Sequence, residues 1–70
     1  MKITKQVNKL FTEIQATNPF AVPELINEDD SYYYFKINNG WITEISKDYI
    51  NNLPDYKLYT EARYILDNYK

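Results

Sequence analysis

One glycine in a chain of 70 residues sets the frame for what this sequence can fold into. Gly40 closes the triplet Asn38-Asn39-Gly40, which separates two runs of strand-forming residues, Tyr32 to Ile37 and Trp41 to Ser46. Asn-Gly between apolar runs is the strongest short-range hairpin signal, and glycine takes a left-handed backbone with the least strain. Two registers compete. A two-residue turn at Asn39-Gly40 sets Ile37 opposite Ile42 and Phe35 opposite Glu44. A three-residue turn with Gly40 as the bulge residue sets Ile37 opposite Trp41, Phe35 opposite Thr43 and Tyr33 opposite Ile45. The second sorts Tyr33, Phe35, Ile37, Trp41, Thr43 and Ile45 to one side and Tyr32, Tyr34, Lys36, Ile42, Glu44 and Ser46 to the other. The first buries Glu44 beside Phe35 or Lys36 beside Tyr34, and burying a charge is costly. The bulged register is therefore expected, with Gly40 at positive φ, Trp41 buried under helices, and Lys36 and Glu44 paired diagonally on the wet side.

The flanking segments read as helices. Ile3, Val7, Leu10, Phe11 and Ile14 recur at the spacing of one buried stripe, predicting a helix over Ile3 to Ala16 with Lys9 and Glu13 paired on its outer face. Thr17-Asn18-Pro19 ends it. Phe20 to Ile26 is apolar but carries Pro23, which suits an edge strand at Phe20 to Val22 or Leu25 to Asn27, or a one-turn helix from Pro23; the edge strand is the expectation. Glu28 to Ser31 reads as a solvated turn. Beyond the hairpin, Ser46 caps a short helix from Lys47 to about Leu53, with Tyr49, Ile50 and Leu53 on its apolar side. Asp55 caps a last one, Tyr56 to Asn68, whose inner stripe is Leu58, Ala62, Ile65, Leu66 and Tyr69. The fold class is α+β in a single domain over residues 1–70: N-terminal helix, small antiparallel sheet of two or three strands centred on the hairpin, short helix, C-terminal helix, with the helices on one sheet face.

Composition narrows the chemistry. The chain has no histidine and no cysteine. The usual neutral-pH base, the thiol nucleophile, disulfides and a structural zinc site are therefore excluded. Ser31 and Ser46 read as turn and cap. Arg63 has no phosphate loop around it, and Glu24, Glu28, Asp29 and Asp30 lack the spacing of a calcium loop. No catalytic residue, metal site or cofactor is expected, and the chain is read as non-enzymatic. No run of 18 apolar residues marks a membrane span, and Lys2 and Lys5 are not followed by the apolar stretch of a signal peptide. Missing cysteine fits a reducing, cytoplasmic setting.

What remains is surface. Eight tyrosines stand among the 70 residues. Tyr32, Tyr34 and Ile42 fall on the open sheet face, and Tyr56, Tyr59 and Tyr69 flank the last helix. A chain this short buries only about 60% of its unfolded surface, so a homodimer or a protein partner is the expected way to bury more. The reading is a small protein-interaction or regulatory protein that self-associates. The alternative is a nucleic-acid binder using the tyrosine face or Lys2, Lys5 and Lys9 of the first helix. A net charge of −2, from 8 basic and 10 acidic side chains, disfavours it.

Overall fold

The computed structural model describes residues 4–38, 40 and 42–68. Thr4 opens the first helix: its Oγ1 accepts the Val7 N–H at 3.3 Å, satisfying one of the donors a helix start leaves free. The helix, α1, runs Lys5–Thr17 and buries Val7, Leu10, Phe11 and Ile14, the expected stripe; Ile3 lies outside the described residues. The Asn18 N–H still reaches Ile14 O at 3.0 Å, then Pro19 stops the helix and Asn18 turns the chain by accepting from Phe20 and Ala21.

The ambiguous apolar segment is the edge strand β1, Pro23–Glu28. Proline is its first residue, where the missing N–H matters least. The hairpin supplies β2, Tyr32–Ile37, and β3, Ile42–Ser46, and the sheet order is β1-β2-β3, antiparallel throughout. Phe35 lies opposite Thr43 and Tyr33 opposite Ile45, so the described pairs follow the three-residue-turn register. Trp41, and with it the Ile37–Trp41 pair and the expected burial of the indole, lies outside the described residues.

The turn itself differs from expectation. Among the described residues the left-handed backbone is at Asn38, φ 57°, not at Gly40. Asparagine tolerates that region, and here the conformation is held from both sides. The Asn38 N–H donates to Val22 O at 2.8 Å, and its Oδ1 accepts the Val22 N–H at 3.0 Å. The hairpin tip is thus tied to the residue before β1, a contact invisible to turn statistics.

Register also shifts once in β1, between Leu25 and Asn27, leaving Ile26 as an extra residue. The bulge moves Glu28 opposite Tyr33, on the helix side of the sheet. There Lys47 Nζ meets Glu28 Oε1 at 2.9 Å and sits 5.1 Å from the Tyr33 ring centre. Glu28 is therefore the last residue of a strand and half of an ion pair, not part of a solvated turn.

Ser46 caps α2, Lys47–Asn51, its Oγ accepting the Tyr49 N–H at 3.4 Å. The helix closes near the expected end: the Asn52 N–H still donates to Asp48 O four residues back, and the Leu53 N–H tightens onto Ile50 O three back, just before Pro54. The last helix, α3, spans Asp55–Asn68, with Asp55 inside its first turn instead of before it. It packs on α1. Leu58, Ala62 and Ile65 join Val7, Leu10, Phe11, Ile14, Ile50 and the strand residues Tyr33, Phe35, Ile37 and Ile45 in one buried cluster, with Leu66 at its margin. Phe11 and Phe35 meet with ring centres 5.4 Å apart at 55°, a tilted geometry aromatic pairs favour. Every buried strand side chain lies on the helix side, so the other sheet face is left open.

Neither expected charge pair forms among the described residues, and one of their members finds a partner distant in sequence. Lys9 reaches Asp55 Oδ2 at 2.8 Å instead of pairing with Glu13, and among the described residues Lys36 and Glu44 form no ion pair. Opposite Lys36 on the open face stand Glu24 in β1 and Ile42 in β3.

Replacing Asn38 with alanine removes the Val22 acceptor and places a Cβ residue less tolerant of positive φ in the turn. Asn38→Ala is expected to cost about 1–2 kcal/mol by urea denaturation, with Asn38→Gly losing less. A Gly40→Ala loss larger than that of Asn38→Ala would return the left-handed backbone to Gly40.

Candidate interaction surfaces

The hairpin base organises the open sheet face. Asp29 Oδ1 accepts the Ser31 and Tyr32 amides at 2.8 and 2.7 Å, forming the turn into β2, while Oδ2 accepts the Tyr34 hydroxyl at 2.6 Å. The Tyr34 hydroxyl, ahead of the turn amides, holds the Asp29 carboxyl below the usual carboxylate range. In return the Asp29 hydrogen bond, with some desolvation, pushes the Tyr34 phenol up to about 12. Tyr32 leans on Tyr34, ring centres 6.4 Å apart. Of the expected sheet-face residues, Ile42 is 64% exposed, Tyr32 39%, and Tyr34 half-buried. The face exists, but its aromatics are partly spent on one another and on the turn.

The second surface lies along α2 and α3. Tyr49, placed by the Ser46 cap, donates its hydroxyl to Glu61 Oε1 at 2.6 Å and so bridges the two helices. That hydrogen bond to Glu61 raises the Tyr49 phenol above its ordinary value. Between the bridge and the α2–α3 corner opens a mostly apolar groove of about 610 Å³ lined by Tyr49, Leu53, Tyr56, Lys57, Thr60, Glu61 and Tyr64. Tyr56 is 77% exposed and Tyr64 64%, whereas Leu53 packs against the core. Tyr59, also exposed, points elsewhere and accepts from Arg63 Nη1 at 3.1 Å. Tyr69 lies outside the described residues.

Of the expected helix-side pair, Tyr56 lines this groove and Tyr59 does not. Tyr49, Leu53 and Tyr64, which also line the groove, are not among the interface residues expected from the sequence. Tyr56, Thr60 and Tyr64 do follow one another at four-residue steps, a signal visible in the sequence. The α2 contribution was not visible, since it depends on how the corner at Pro54 closes.

Lys2 is outside the described residues. Lys9 is paired with Asp55, and Gln6 Nε2 donates to the other oxygen of the same carboxylate at 3.4 Å. Hydrogen bonds from Lys9 and Gln6 and the nearby charge of Lys5 keep Asp55 below the usual carboxylate range. Lys47 is held by Glu28. Among the described residues no three or more carboxylates are grouped to hold a metal ion, and no helix is long and apolar enough to cross a membrane.

No family model matches the chain, and comparison with curated proteins and with solved structures gives no match either.

The Tyr34–Asp29 bond has a pH consequence. A phenol whose folded pKa lies above its unfolded value near 10 favours the folded state fully below pH 10, and that contribution is lost as pH rises through about 12. NMR of the Tyr34 ring carbon bearing the hydroxyl is expected to show ionisation near 12, falling toward 10 in Asp29→Asn. Titration near 10 in the unaltered chain would remove the hydrogen bond from the account.

Proposed function

We propose that this chain is a non-enzymatic protein-interaction domain that pairs with a second copy of itself through the α2–α3 groove. The observation that carries the reading is the exposed pair Tyr56 and Tyr64 on an apolar groove, a large uncovered aromatic surface for a chain of this size.

The pattern along α3 is self-complementary. Thr60 lies midway between Tyr56 and Tyr64. A two-fold axis near Thr60, with the two α3 helices antiparallel, brings Tyr56 of one copy to Tyr64 of the other. It also lays Lys57 of each copy beside Glu61 of the second. A symmetric dimer needs this kind of surface, one that matches its own rotated image. Tyrosine supplies large contact area while keeping a hydroxyl for the wet rim.

Size sets the expected strength. The 14 residues of α3 make a rod of about 21 Å, and a strip of that length and about 10 Å wide falls well below the roughly 800 Å² per partner of a stable interface. The α2 flank adds to it, so a weak, reversible dimer is the expected form.

Sedimentation equilibrium over a wide concentration range tests this. The wild type is expected to dimerise in the micromolar range, Tyr64→Glu to weaken it at least about tenfold, and Tyr34→Glu on the sheet face to leave it unchanged. A monomer at high micromolar concentration overturns the proposal. A dimer broken only by Tyr34→Glu moves the interface to the sheet.

A further inference from the structure

The two edges of the sheet are treated differently. Along β1, Pro23 brings no N–H, Ile26 breaks the ladder, and the Glu28 N–H is taken by Asn27 Oδ1 at 2.9 Å. Proline and a bulge are known ways of blunting an edge against strand pairing, and the Asn27 bond occupies a further donor. The β3 edge has none of them: its pairing with β2 runs without a break from Ile42 to Ser46, and it contains neither proline nor glycine.

The direction of the free groups on β3 follows from one bond. The Lys47 N–H donates to Ser31 O at 2.8 Å, making 31 and 47 a hydrogen-bonded pair. Alternation then makes Tyr33–Ile45 and Phe35–Thr43 hydrogen-bonded pairs as well. Ile42 and Glu44 consequently turn their backbone groups away from β2, toward the outer edge, while their side chains stand exposed on the open face.

We infer that the outer edge of β3 accepts an extended peptide segment of another protein, added as a fourth antiparallel strand, with a lysine or arginine opposite Glu44 and an apolar residue two positions later opposite Ile42. Main-chain hydrogen bonds supply affinity in this mode and alternate side chains supply specificity. Charge chooses the occupant. A second copy pairing β3 with β3 over its full length sets Glu44 against Glu44, and like charges directly opposite are destabilising. A basic residue there gains a cross-strand partner. The edge is separate from the α2–α3 groove, so either surface works without the other.

The probe is a capped hexapeptide of threonine carrying lysine at its second position and valine at its fourth, with a control bearing glutamate for lysine. Hydrogen exchange of the chain is followed by NMR. At a peptide concentration about ten times its dissociation constant, the Glu44 amide is expected to exchange about tenfold more slowly, with Leu25 in β1 unaffected. The glutamate control is expected to leave Glu44 unchanged, and Glu44→Lys to reverse the preference between the two peptides. Equal effects of both peptides, protection at Leu25 in place of Glu44, or no protection at all overturn the inference. Protection of Glu44 that rises with protein concentration alone assigns the edge to a second copy and overturns it too.

Discussion

The register of the central strand is the constraint on which the rest of this structure depends. β2 is paired on both sides, so the alternation of its side chains decides what each sheet face is made of. Tyr33, Phe35 and Ile37 go to the helices; Tyr32, Tyr34 and Lys36 do not. A slip of one residue against β3 would bring Glu44 opposite Phe35 and put a charge against the core. In a domain this small, the desolvation of one unpaired carboxylate is comparable to the whole margin of stability.

The helices follow from that face. Phe11 meets Phe35, and Val7, Leu10 and Ile14 extend the contact, so α1 covers the sheet while α3 closes on α1. Polar clasps then fix the corners: Lys9 to Asp55 between the two long helices, Lys47 to Glu28 between α2 and the sheet, Asn38 to Val22 at the hairpin tip. Each joins segments distant in sequence. The two ion pairs are partly solvent-exposed, so they orient elements more than they stabilise them.

Periodicity and turn chemistry made the elements legible in advance, because they act within a few residues. The α1 stripe, the Ser46 cap and the hairpin sorting all belong to this class. What escaped depends on distant parts of the chain. Intrinsic preference assigns the left-handed residue to glycine, yet Asn38 takes it because Val22 supplies both a donor and an acceptor. Helix spacing matches Lys9 with Glu13, whereas Asp55 becomes its partner only once α3 docks. The bulge at Ile26, which redirects Glu28 toward Lys47, has no marker in the local sequence. At the surface, the exposure of Tyr32 and Ile42 could be read from alternation. The groove could not, because Tyr49 and Leu53 reach it from another element.

Both proposed surfaces rest on the same register, since it sends Glu44 and Ile42 outward and leaves the helices to enclose the other side. Interstrand contacts between Hα protons measure it directly, because these protons approach closely only in the non-hydrogen-bonded pairs of an antiparallel ladder. The account predicts strong nuclear Overhauser effects between the Hα protons of Tyr34 and Glu44 and between those of Lys36 and Ile42. Effects linking Phe35 with Glu44 and Ile37 with Ile42 would establish the two-residue turn and contradict it.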